Sequence, residues 1–137
     1  MPRRVRSQAS AATLDGRTLT LEAVESIALG ARPVLAKSAA RRVVASRRVV
    51  ERATRGGARV YGVNTGFGHL AQVAIADDRL EELQLNLVRS HAAGVGDPLP
   101  VPVVRAILAL RANCLARGHS GIRLETLETL VALLERG

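Results

Sequence analysis

The 137-residue chain has one tyrosine, one phenylalanine and no tryptophan, and both aromatic residues fall inside the stretch Tyr61-Gly62-Val63-Asn64-Thr65-Gly66-Phe67-Gly68. Aromatic side chains usually supply the largest buried areas of a small core. A chain that lacks them elsewhere must build its interior from Ala, Val, Leu and Ile. With 47% hydrophobic and 23% charged residues the composition is that of a globular protein, so an aliphatic, helix-packed core is expected. The length is that of one domain.

The same observation isolates a candidate site. A tyrosine beside Gly62, Gly66 and Gly68 is poorly used as packing, because glycine contributes no side chain and is chosen where the backbone needs positive φ or a close approach. The stretch therefore reads as a functional loop.

Around it the chain reads as helices. Leu14-Asp15-Gly16-Arg17 is a turn leading into a short extended piece near 18–20, and Thr20 caps a first helix near 21–29 that Gly30 stops. A second helix near 36–55 repeats Ala39, Val43, Ser46, Val50 and Ala53 on one side and arginine on the other, before Gly56-Gly57. Another extended piece, near 59–61, enters the glycine loop. Asp77-Asp78 starts a third helix whose Leu80, Leu83, Leu87 and His91 share a stripe, which predicts an inward-facing His91. A fourth begins at Pro102 and runs to Gly118, with Val103, Ile107, Leu110 and Cys114 expected on its core face. A fifth spans 124–136, carrying Leu124, Leu127, Val131 and Leu134. The last two helices are apolar on more than one side, as helices are that contact other protein on both faces.

Charge and cysteine usage narrow the classes. The net charge of +8 lies entirely in residues 1–55, which carry twelve basic and four acidic groups. Such a half can bind nucleic acid by counterion release, but no recognised nucleic-acid motif accompanies it, and Arg41-Arg42 and Arg47-Arg48 read as the solvated face of a helix. Cys114 is the only cysteine, which excludes an intramolecular disulfide and fits a reducing cytoplasm. Residues 1–13 are Arg-rich without an apolar core and read as a disordered tail. No run approaches a membrane span.

Among possible chemistries, the loop glycines match neither common phosphate-cradle spacing. His69, His91 and His119 lie in separate elements without a paired ligand, so no metal site is expected. Ser90-His91 and His119-Ser120 are adjacent in sequence, which does not by itself aim a hydroxyl at an imidazole. What survives is acid–base work by Tyr61, whose phenol has an ordinary pKa of about 10 and can remove a carbon-bound proton when its phenolate is stabilised. His91 is open between a core histidine and a site residue.

Three ordered stretches carry a family resemblance: the loop at 61–68, Gln84-Leu85-Asn86-Leu87-Val88-Arg89-Ser90-His91-Ala92-Ala93-Gly94-Val95-Gly96, and Arg111-Ala112-Asn113-Cys114-Leu115-Ala116-Arg117-Gly118-His119-Ser120-Gly121, with Leu14-Asp15-Gly16 upstream. Together they resemble the aromatic amino acid ammonia-lyase family, most of all its histidine-deaminating members, over nearly all of the chain after residue 13. The resemblance implies a mainly α fold, the N-terminal helical region of a lyase domain over 14–137. It implies removal of ammonia from an α-amino acid, L-histidine or another aromatic amino acid, in a homotetramer with shared sites. Tyr61 matches the proton-abstracting tyrosine, His91 and Gly68 match substrate-contacting positions, and Gly62, Asn64, Thr65 and Gly66 match residues that form the loop. Tyrosine lyases and aminomutases of the family share these features. The family's electrophile, 4-methylideneimidazole-5-one, forms from an internal Ala-Ser-Gly. Here the nearest stretches are Ala9-Ser10-Ala11, Ala45-Ser46-Arg47 and His119-Ser120-Gly121. The resemblance thus implies an N-terminal part that stops short of that tripeptide and is inactive alone, or a noncatalytic piece that binds lyase subunits.

Overall fold

A computed structural model describes residues 12–55, 60, 65 and 79–136. The chain divides into two compact units, one formed by residues 1–47 and 99–137, the other by 48–98.

The first unit starts with β1 (Thr13–Leu14), which pairs in parallel with β2 (Val34–Leu35) in the register Thr13 to Val34 and Leu14 to Leu35. The connection between them is α1 (Leu21–Ala28). Thr20, extended at φ −92° and ψ 166°, accepts the Ala23 N–H on its hydroxyl, so the expected cap is present. Glu22 lies in that first turn, and its own backbone N–H together with the Thr20 hydroxyl holds its carboxyl below the usual range. The extended piece expected near 18–20 is unpaired. The ladder forms instead from residues 13–14 and 34–35, a pairing across a helix that two-residue strands cannot announce by alternation.

Lys37–Arg55 forms α2, of which residues 37–47 belong to this unit. After the second unit the chain returns as α4 (Val101–Ala116) and α5 (Leu124–Arg136). Pro102 sits in the first turn of α4, where its missing N–H has no helical partner to lose. Both α1 and α5 pack on α4, and β1 touches α4 while β2 touches α5. The interior is Leu14, Ile27, Ala39, Val43, Ala109, Ala112, Leu115, Ala116, Leu127, Val131 and Leu134, an aliphatic core as expected.

The face of α4 that enters this core is not the one expected. Val103, Ile107 and Leu110 are 44%, 51% and 53% exposed and Cys114 is exposed, while Arg105, Ala109, Ala112, Leu115 and Ala116 are buried. At 3.6 residues per turn the two sets lie on opposite sides of the helix. Size decides between two apolar faces: Ala109, Ala112 and Ala116 let neighbouring backbones approach more closely than Ile107 and Leu110 would.

The second unit holds the remainder of α2 and α3 (Leu80–His91). The expected start at Asp77-Asp78, the Gly56-Gly57 stop and most of the extended piece near 59–61 lie outside the described residues. Among the described residues no helix is long and apolar enough to cross a membrane.

Candidate functional site

Of the loop residues, Tyr61, Gly62, Asn64, Gly66 and Gly68 lie outside the described residues. Thr65 is described and is buried.

His91 is the last residue of α3, and it is exposed. The stripe is real at Leu83 and Leu87, which are half-buried, but it does not carry His91 inward. One helical turn back, the Leu87 carbonyl lies 2.9 Å from His91 Nδ1, and Ser90 Oγ donates to the same carbonyl at 2.9 Å. Ser90 Oγ and His91 Nδ1 are 3.0 Å apart. A carbonyl oxygen only accepts, so a bond to Leu87 requires Nδ1 to carry the hydrogen, and in the neutral ring Nε2 is then the acceptor. The Ser90 and His91 side chains thus do meet: with the hydrogen on Nδ1 both donate to the Leu87 carbonyl, and with it on Nε2 the Nδ1 atom can accept from the Ser90 hydroxyl. In the tautomer with the hydrogen on Nδ1 the bond to Leu87 anchors the ring and presents Nε2 as an acceptor.

A second cluster, in the first unit, joins the stretches at 14–16 and 111–121. Asp15 Oδ1 accepts the backbone N–H groups of Arg17 and Thr18 at 2.7 and 2.8 Å, and Oδ2 accepts the Thr18 hydroxyl at 2.8 Å. These bonds, the Thr18 backbone first, lower the Asp15 pKa from 3.8 to about 2. The turn they fix sets Gly16 N–H on Asn113 Oδ1 at 2.8 Å, against the end of α4. Gly16 has φ +78°, and a Cβ there would stand 2.6 Å from Arg117 N. Gly118 has φ +79°, with Arg42 Cβ 2.6 Å from where its own Cβ would be. The Asp15 turn, Asn113 and Gly118 thus meet at one close crossing, to which Arg42 also contributes.

The arginines of α2 are not all solvated, contrary to the expectation for Arg41-Arg42 and Arg47-Arg48. Arg42 Nη2 donates to the carbonyls of Asp15 and Ala116, and Arg47 Nη1 to that of Gly121. Ser46 Oγ accepts the Gly121 N–H at 3.0 Å. Arg105, buried in α4, donates to Ile27 O at 2.8 Å, in the last turn of α1, and to Ala31 O at 3.0 Å, just beyond that helix. No periodicity signals such roles, because their acceptors are backbone atoms distant in sequence. Among the described residues no group of three or more His, Cys, Asp or Glu side chains could hold a metal ion.

The aromatic amino acid lyase model matches residues 19–137, and the chain belongs to that family. A histidine ammonia-lyase of Anaeromyxobacter sp. (strain K) is 58% identical over 125 residues, covering 90% of this chain and 25% of that protein. The chain thus spans about a quarter of the length of the curated relatives it matches. Among solved structures, histidine ammonia-lyase from Trypanosoma cruzi superposes with a TM-score of 0.83 at 41% identity, covering 93% of this chain and 25% of that one. A tyrosine aminomutase from Streptomyces globisporus gives 0.87 at 38% identity, covering 93% and 24%.

Proposed function

We propose that the chain is the N-terminal part of a histidine ammonia-lyase, acting in the cytoplasm in histidine catabolism, and that it contributes the base and one wall of a site completed elsewhere in a homotetramer. The observation that carries this reading is the 58% identity to a histidine ammonia-lyase across 90% of the chain.

The overall reaction breaks the Cβ–H and Cα–N bonds of L-histidine and forms the double bond of urocanate, releasing ammonia. Tyr61, as phenolate, takes the Cβ proton. That proton is weakly acidic, so the base must be held against it, and general-base catalysis of this kind contributes roughly 10²–10⁴-fold. In this reading Gly62, Asn64, Thr65 and Gly66 are loop-forming residues around Tyr61, and Gly68 is a substrate contact. In the tautomer with the hydrogen on Nδ1, bonded to the Leu87 carbonyl, His91 Nε2 accepts the N–H of the substrate imidazole.

The family's 4-methylideneimidazole-5-one would make the amine a better leaving group, but the residues present do not fit its formation. Ser46 precedes Arg47, and its hydroxyl is engaged with Gly121; Ser120 follows His119. The chain alone is expected not to turn over.

The test is co-expression with a separate polypeptide spanning the remaining three quarters of the Anaeromyxobacter relative, with urocanate followed by its ultraviolet absorbance. Activity should appear only in the combination, and Tyr61→Phe should lower it by roughly 10²-fold or more. Activity that survives Tyr61→Phe refutes the assigned base. The likeness to tyrosine aminomutase favours one second reading, tyrosine as substrate, since His91 Nε2 could equally accept a phenol O–H. Turnover of tyrosine in preference to histidine by the same preparation would select it.

A further inference from the structure

We propose that the outer face of α4, built by Val103, Ile107, Leu110 and Cys114, is the surface on which the remaining part of the lyase subunit packs; this rests on the reading that the chain is one part of such an enzyme. The four residues recur at i, i+4, i+7 and i+11, which places them within one narrow stripe. They lie opposite the buried Ala109, Ala112 and Ala116.

A helix with one face in the core normally turns charged or polar side chains to water on the other. From Val101 to Leu110 the only charged residue is Arg105, and it is buried on the inner side. The outer stripe is thus aliphatic and uncharged along its length, with Arg111 flanking it. An exposed patch of this kind marks a contact with other protein.

The occupant follows from length. The chain covers 25% of a relative to which it is 58% identical, so in that relative three quarters of the polypeptide lies outside the part that matches this chain. The fold is helical, and the surface fits an aliphatic helix laid along it, Ile107 and Leu110 at the centre and Cys114 at one end.

Cys114 is the only cysteine in the chain and is exposed on this stripe, which makes its thiol a reporter. The experiment compares maleimide labelling of Cys114 in the chain alone and after co-expression with the polypeptide spanning the remaining three quarters of the Anaeromyxobacter histidine ammonia-lyase, its own cysteines replaced. Labelling should be fast alone and slowed about tenfold or more in the complex. Ile107→Asp and Leu110→Asp should each weaken co-purification by about tenfold or more. Leu29→Asp, at a residue 75% exposed on another element, should leave it unchanged. Far-UV circular dichroism of each variant checks that the helices persist.

Three results overturn the proposal: no complex, a complex in which Cys114 stays reactive, or protection of Cys114 in the chain alone by self-association that Ile107→Asp abolishes. A complex that protects Cys114 but makes no urocanate upholds this surface and removes the catalytic reading.

Discussion

Replacing Gly16 by alanine tests whether the close crossing of the Asp15 turn and the end of α4 organises the first unit. Two costs add. At φ +78° an L side chain is strained by roughly 1–2 kcal/mol. The new Cβ would also stand 2.6 Å from Arg117 N, 2.8 Å from Ala116 C and 2.9 Å from Arg117 Cα. All three are backbone atoms that no rotamer change can clear, and overpacking of this kind costs roughly 1–3 kcal/mol. The expected loss is roughly 2–5 kcal/mol, a large share of the roughly 5–15 kcal/mol that holds a domain folded. Gly30→Ala supplies the reference. Its φ is +112° but nothing lies within 4 Å of the added Cβ, so only the backbone part applies, roughly 1–2 kcal/mol. Urea titrations followed by far-UV circular dichroism should give a clearly larger loss for Gly16→Ala than for Gly30→Ala. Equal losses, or a larger one at Gly30, would refute the crossing as the source of the cost.

Arg105→Met should lower stability by about 2–3 kcal/mol in the same titration, because the charge-assisted bonds to Ile27 O and Ala31 O are lost while the stem's packing is largely kept. Arg105→Lys should recover only part of this, since a single ammonium does not reproduce the guanidinium fork; full recovery would contradict the two-carbonyl role. Asp15 gives a pH signature: its folded pKa of about 2 lies below the 3.8 of the free carboxyl, so its contribution is complete above pH 3.8 and fades as pH falls toward 2. The stability difference between wild type and Asp15→Asn should shrink over that window, and a difference independent of pH there would show that the Asp15 bonds do not act as described.

The sequence reads well where a signal is local. Thr20 and Gly30 bracket α1, α5 runs over 124–136 as its spacing predicts, and the scarcity of aromatics correctly implies an aliphatic interior. It reads poorly where a choice depends on distant partners. The spacing of Val103, Ile107, Leu110 and Cys114 is as regular as that of the face that is buried, so periodicity could not choose between them. The β1–β2 pairing joins residues about twenty apart through strands too short to alternate. His91 belongs to an apolar stripe, yet position in a stripe did not determine its exposure. The candidate site stood out in the sequence as a motif, because a lone tyrosine among glycines is poorly used as packing; of its residues only Thr65 and His91 fall among the described ones.

The first unit is discontinuous: β1, α1, β2 and the start of α2 come early, and α4 and α5 return only after residues 48–98. During synthesis at roughly 5–20 residues per second, Leu14 and Ile27 wait several seconds for the helices that bury them. The bond from Gly16 to Asn113 spans 97 residues, so it belongs to the late, non-local part of folding. Closure entropy grows only with the logarithm of loop length, so lengthening the intervening segment should be tolerated far better than losing the returning helices. A ribosome stalled before Leu99 would therefore hold an N-terminal region whose core has no second half.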